Sequence, residues 1–335
     1  MSQRAQAKQA FLAVHGWGGA TCRVLAGDAS DRSYDRLTRG AETAVLMDAP
    51  PGQGDDPAQF VAIAAHLRHL GLSAPQVLAQ DPGAGFLLLE DLGDSLFARM
   101  TASDPSLEAP LYAAAVDVLV HLQRHPIPPG LPDLTAAEWA DAAAVALDWY
   151  RFSITGDRID TAPFRAALAD ALTARADSPR VTILRDYHAE NLLWLPERDG
   201  LARVGLLDFQ LAQGGQPGYD LVSLLQDARR DVQPQTEETM ITRFATAIGE
   251  PEPAFRRSYA VLGAQRALRI LGVFARLCLV AGKPGYLPLM PRVWGQLQRN
   301  LAQPGLEAVA RACAVLPAPT AEARHRMEAQ CGAFR

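Results

Sequence analysis

Apolar residues recur at helical spacing over residues 4–14 and stop at His15-Gly16, ahead of a Gly18-Gly19 turn. Three runs of strand character follow, over 21–27, 32–39 and 43–48. The polar loop GDASDRS joins the first two, and Arg39-Gly40 turns the second into the third. Pro50-Pro51-Gly52 ends that third strand. Asp56-Pro57 then opens a helix to about His69, with Phe60, Ile63, Ala64 and Leu67 on one apolar face. Two short strands, 76–79 and 85–89, flank the turn Asp81-Pro82-Gly83. Past Glu90 the pattern becomes helical and Ala-rich, predicting helices over 106–124, 134–153, 161–176, 219–228, 234–248, 254–281 and 287–302. Only 181–208 interrupts them, where NLLWL and VGLLD flank the turn Pro196–Gly200.

No internal repeat is visible. A β-rich segment, 1–90, joined to a larger helical segment, 91–335, with one hairpin inside it, is an α+β organisation.

Composition narrows the class. A chain of 335 residues, 49% hydrophobic and 21% charged, can hold two lobes with cores of their own. Its formal net charge of -5 argues against nucleic acid or an anionic membrane as the main partner. The opening MSQRAQAKQAFLAVHGW lacks the apolar core of a signal peptide, and ILGVFARLCLVAG, the best apolar run, is cut by Arg276. Cys22, Cys278, Cys313 and Cys331 are far apart and form no CxxC pair, which points to a cytoplasmic protein without a structural metal. The only lysines are Lys8 and Lys283, so none lies between 9 and 282.

The chemistry concentrates in LRDYHAENLLWL, residues 184–195. Asp186 and Asn191 are five apart, and Asp208 ends the second strand of the hairpin that Asn191 opens. A hairpin gathers these ends, so Asp186, Asn191 and Asp208 are expected to converge. Two carboxylates and an amide oxygen suit a hard cation such as Mg²⁺, with one carboxylate left over as a base. Such a cation shares its remaining positions with water and phosphate oxygens, which is the logic of phosphoryl transfer. The alternative is a polar turn, because Asp, Asn and His are common in loops.

The D-x-x-x-x-N pattern followed by a strand-end Asp resembles the catalytic and metal-binding loops of the protein-kinase fold. His188, two residues after Asp186, makes the chain similar to the small-molecule branch, the aminoglycoside phosphotransferase and choline kinase-like family. The resemblance implies a two-lobed fold, with 1–90 a nucleotide-binding N-lobe and 91–335 a C-lobe carrying the catalytic loop and substrate helices. It implies ATP and Mg²⁺, with Asp186 the base that takes the acceptor proton and Asn191 and Asp208 the metal ligands. It implies that Ser30, Arg32 and Ser33 face the phosphates and that the backbone around Glu90 and Leu92 grips adenine. His188 would be structural. Asp220, in YDLVSLL, would brace the catalytic loop or simply cap a helix over 221–228.

Two departures stand out. Asp208-Phe209-Gln210 replaces DFG at its third position, and Met47 stands where the family carries Lys. The helix that should supply the partner Glu has no acid beyond its first turn. Losing both halves avoids a lone buried charge. Arg32 or Arg36 is the expected substitute.

Within the family, GDASDRSY, VLMDAPPG, LLLEDLGDS, LLDFQLAQGGQPGYDLVSLLQDAR, QRALRILGVFARL and KPGYLPLMPRVWGQL resemble the kinases of N-acetylmuramate and N-acetylglucosamine, which act at the anomeric hydroxyl. VLMDAPPG is shared with that branch, so the missing Lys reads as a lineage trait. An aminoglycoside or choline-type phosphotransferase, or a nucleotide-binding pseudokinase, are the alternatives. Between Glu252 and Glu307 the chain carries no acidic residue, but seven arginines and Lys283. A basic wall favours a neutral or anionic acceptor, with Arg266 and Arg269, three apart, the candidate substrate residues.

Overall fold

The structure, a computed structural model, describes residues 3–27, 32–52 and 56–334. The chain divides into two compact units, one of residues 1–118 with 189–212, the other of residues 119–188 with 213–335. The hairpin after Asn191 belongs to the first unit.

In the first unit, β1 (Thr21–Gly27), β2 (Ser33–Arg39), β3 (Glu42–Asp48), β4 (Val77–Asp81) and β5 (Phe86–Glu90) form one antiparallel sheet in the order β1-β2-β3-β5-β4. Alternation along the strands sends Leu37, Ala44, Leu46, Phe86 and Leu88 to a core shared with Phe11 and Leu12 of α1 (Gln3–Val14) and with Trp17. The helix α2 (Pro57–His69) starts where expected. Asp56 caps it by accepting the Ala58 N–H at 2.8 Å, a contribution of about 1 kcal/mol. Its apolar stripe of Phe60, Ile63, Ala64 and Leu67 is buried as the spacing predicts.

The hairpin of β7 (Leu192–Trp194) and β8 (Val204–Leu206) joins this unit through backbone bonds. The Leu206 N–H donates to Ser73 O at 2.8 Å and the Trp194 N–H to Ser95 O at 2.8 Å. Ahead of the hairpin in sequence lie α3 (Phe97–Ser103), which the sequence pattern did not reveal, and α4 (Glu108–Gln123).

The second unit is built around α10 (Glu252–Leu279). Eighteen of its 28 residues are buried, so it carries no single apolar stripe and forms a central core helix. Against it pack α5 (Ala136–Val145), α7 (Ala162–Arg175), α8 (Tyr219–Leu225), α9 (Pro234–Ile248) and α11 (Met290–Leu301). Gly272 permits the tightest of these crossings: a Cβ there would sit 2.3 Å from the Val145 carbonyl carbon. At that point the helix expected over 134–153 widens into a π turn over 146–151 before ending as α6 (Phe152–Thr155). Two short helices, α12 (Glu307–Cys313) and α13 (Ala321–Glu328), close the chain. The strands β6 (Val181–Ile183) and β9 (Gln213–Gly215) pair antiparallel in this unit. No helix among the described residues is long and apolar enough to cross a membrane.

Candidate active site

The register of the β7–β8 hairpin pairs Leu192 with Leu206, so the residues just outside that pair come together as the alternation requires. The Leu207 N–H donates to Asn191 O at 2.9 Å, and Asn191 Nδ2 lies 3.4 Å from Asp208 Oδ2. Both side chains are half-buried. Asp208 sits at φ 56, a left-handed conformation that costs a residue with a Cβ about 1 kcal/mol. Gln210 fills the position of the expected Gly and donates from Nε2 to Asp208 Oδ1 at 2.8 Å.

Arg32, 6% exposed, brings Nη2 to 3.8 Å from Asp208 Oδ1. Arg36, the other expected substitute for the missing Lys, is committed elsewhere: it pairs with Asp91 at 2.8 Å and Asp94 at 2.5 Å. Met47 is fully buried in the sheet. Phe209 stacks on Phe60 of α2 with ring centroids 4.9 Å apart, so this part of the helix meets the hairpin through aromatic packing. Ser33 begins β2 and is half-buried, while Ser30 lies outside the described residues.

Glu90 ends β5, and its N–H is spent on Gln76 O at 2.8 Å. Its carboxylate takes the Gln76 N–H at 3.1 Å and pairs with Arg198 and Arg68. Its side chain is thereby committed within the first unit.

In the second unit the loop after β6 is anchored by one buried group. The carboxylate of Asp220, in the first turn of α8, is fully buried and accepts the Leu184 N–H at 2.6 Å and the Arg185 N–H at 2.8 Å. Asp220 therefore caps no helix of its own; it fixes the backbone one residue before Asp186. Burial pushes its pKa up to about 7, against the pull of the two N–H donors and of Arg266. Arg185 is held at φ 72. Among the described residues only Arg185, in the second unit, and Asp208, in the first, adopt positive φ without being glycine.

His188 is 6% exposed, and burial depresses its pKa to about 3, with the guanidiniums of Arg229, Arg266 and Arg230 adding to the effect. It is neutral at pH 7. Its Nε2 lies 3.4 Å from Arg229 Nη1; since a guanidinium only donates, Nε2 is the acceptor. Of the two substrate candidates on α10, Arg266 is 7% exposed and donates to Gln226 O at 3.3 Å, while Arg269 is half-buried. The basic wall is thinner than the sequence suggests. Arg256 pairs with Glu252 and Glu238, Arg292 with Asp231, and Arg299 with Glu237.

Thus the structure brings Asn191 and Asp208 together in the first unit and sets Asp186, His188 and Asp220 around one loop of the second. Arg229 escaped the sequence, and Gln210 was visible as a departure but not as a partner of Asp208. A helix-exit DARR and a Gln replacing a Gly carry no pattern of their own.

Residues 21–259 match the phosphotransferase enzyme family. The chain belongs to that family. It is a phosphotransferase whose acceptor is a hydroxyl group. It is 41% identical to a protein of Caulobacter vibrioides named N-acetylmuramate/N-acetylglucosamine kinase, over 91% of this chain and 94% of that one. A protein of the same name from Pseudomonas aeruginosa is 34% identical over 92% and 93%. Among solved structures, a choline/ethanolamine kinase family protein from Mesorhizobium loti covers 92% of this chain and 99% of its own, with a TM-score of 0.61 at 17% identity. The GDP complex of an aminoglycoside 2'-phosphotransferase reaches a TM-score of 0.63 at 13% identity, over 90% and 98%. These likenesses establish the α+β protein-kinase-like fold expected from the sequence.

Proposed function

We propose that the protein transfers the γ-phosphoryl group of ATP to the anomeric hydroxyl of an N-acetylated amino sugar, N-acetylmuramate or N-acetylglucosamine. The observation that carries this reading is the carboxylate-braced loop. A fully buried Asp220 holds the backbone immediately before Asp186, which is what a positioned base requires. The names borne by relatives at 41% and 34% identity supply the acceptor.

In the reaction the acceptor O–H bond breaks, its proton passes to the Asp186 carboxylate, and the oxygen forms the new bond to phosphorus. The bond from phosphorus to the β–γ bridging oxygen breaks, and ADP leaves. Asn191 and Asp208 supply two hard oxygen donors, a set that fits Mg²⁺ sharing its other positions with phosphate and water. When bound, that ion offsets charge on the phosphate oxygens. Arg32, held near Asp208, takes the part of the missing third-strand Lys toward the phosphates, with Ser30 and Ser33 beside it in sequence. The Glu90 carbonyl and the Leu92 N–H receive adenine. His188 shapes the loop, and Arg266 and Arg269 keep the acceptor side positive. Free cysteines throughout and the use of ATP accord with a cytoplasmic enzyme.

ADP release across a panel of free sugars and antibiotics tests the proposal. Turnover of N-acetylmuramate and N-acetylglucosamine with none of kanamycin is expected. Efficient phosphorylation of kanamycin without either sugar overturns it.

A further inference from the structure

Arg229 follows α8 in the second unit, is exposed, and sits in a neighbourhood where other arginines have carboxylates. Arg230 pairs with Asp227 at 3.2 Å, Arg292 with Asp231 at 2.7 Å, and Arg299 with Glu237 at 3.2 Å. The guanidinium of Arg229 has no carboxylate partner among the described residues; its one hydrogen bond goes to His188 Nε2. Of the two carboxylates nearest in sequence, Asp227 is taken up by the Arg229 backbone N–H at 2.8 Å and by Arg230, and Asp231 by Arg292. A neutral imidazole can aim a guanidinium without cancelling its charge. His188 is two residues from Asp186, and the same imidazole feels Arg229, Arg230, Arg266 and Asp186. The base-bearing loop therefore carries an oriented positive group with four N–H donors still to place.

The two acceptors named for the relatives differ in one charged group. N-acetylmuramate carries a lactyl ether at the 3-oxygen, ending in a carboxylate; N-acetylglucosamine has a hydroxyl there. A planar fork of N–H donors matches a carboxylate bidentately. We propose that Arg229 receives the lactyl carboxylate of N-acetylmuramate and thereby sets the preference between the two sugars. The proposal rests on the amino-sugar kinase reading above. It moves carboxylate recognition from α10, where Arg266 is buried against Gln226, to the exit of α8. N-acetylglucosamine leaves the guanidinium solvated, which costs little because the group is exposed.

Steady-state kinetics on Arg229→Gln and Arg229→Lys, with both sugars and with ATP varied, decides the matter. For Arg229→Gln, KM for N-acetylmuramate should rise about 10- to 150-fold, the worth of a charge-assisted pair, and KM for N-acetylglucosamine by less than about threefold. Arg229→Lys should recover part of the N-acetylmuramate loss, which a purely structural role would not show. Equal losses on both sugars, or a rise in KM for ATP, would assign the guanidinium to the transferred phosphoryl group and overturn the proposal. If the unaltered protein turns over neither sugar, it is the amino-sugar reading that fails.

Discussion

Two short strand pairs bear the residues of the proposed site, and they are held in different ways. The outer pair, β6 with β9, consists wholly of buried residues, and the loop it launches is tied by two backbone N–H bonds to a carboxylate with no exposure at all. The inner pair, β7 with β8, is flanked by the half-buried side chains of Asn191 and Asp208, 3.4 Å apart. The difference suits the proposed roles. A base must be fixed in place before the acceptor arrives, so rigidity belongs in the backbone. Cation ligands need only be close and oxygen-rich, because the ion completes their geometry.

The comparison breaks first at Asp186. Asp186→Ala should lower kcat about 10²- to 10⁴-fold while leaving the fold and nucleotide affinity unchanged. Stopped-time assays beside calorimetry of ATP binding check both halves; activity within a few-fold of the parent would remove Asp186 from the base role. Asp208→Ala should fail on the other side, raising the requirement for Mg²⁺·ATP beyond the 10- to 100-fold that loss of an outer-shell group costs. Unchanged Mg²⁺·ATP affinity by calorimetry would count against ligation there.

Asp220→Asn sharpens the contrast at smaller cost. An amide has one acceptor oxygen for two N–H donors, so one is left unmet in the interior, at about 1–3 kcal/mol. Urea denaturation should show that loss together with a fall in kcat, and an unchanged midpoint would mean that water replaces the brace.

The smallest effect is a slope. With its folded pKa depressed to about 3 from 6.5, His188 binds its proton less readily folded than unfolded. The stability it gives is complete above pH 6.5 and is lost as pH falls toward 3. Asp220, raised to about 7 from 3.8, has the opposite linkage over roughly the same window, so the two offset one another in the parent. His188→Gln removes one of the pair, and its stability relative to the parent should rise by up to about 1.4 kcal/mol per pH unit between pH 6 and 4. Thermal melts that track the parent at every pH would show that His188 is not held neutral.

Much of this was legible in the chain, for reasons that differ by element. The sheet of the first unit could be placed because its turns are marked by Gly and Pro and its strands alternate. α2 was visible from Asp56-Pro57 and a clean apolar stripe. Asn191 and Asp208 converge through hairpin register alone, which sequence does encode. Asp220 was ambiguous because an Asp near a helix start has two common uses, and only burial separates them. The proposed stand-in for Lys could be narrowed no further than Arg32 or Arg36, since the pairing of Arg36 with Asp91 and Asp94 is formed only in the fold. That the hairpin joins the first unit was not legible, because Ser73 and Leu206 meet only in the folded chain.

That meeting has a consequence for how the protein is made. A unit of residues 1–118 with 189–212 cannot finish folding when Val118 leaves the ribosome, because its last strands have not been synthesised. At ordinary elongation rates the intervening stretch takes roughly 4–14 s to make, during which the first unit lacks its β7–β8 hairpin. The N-terminal 118 residues expressed alone would stay in that waiting state, and residues 189–212 added in trans as a peptide should bind them.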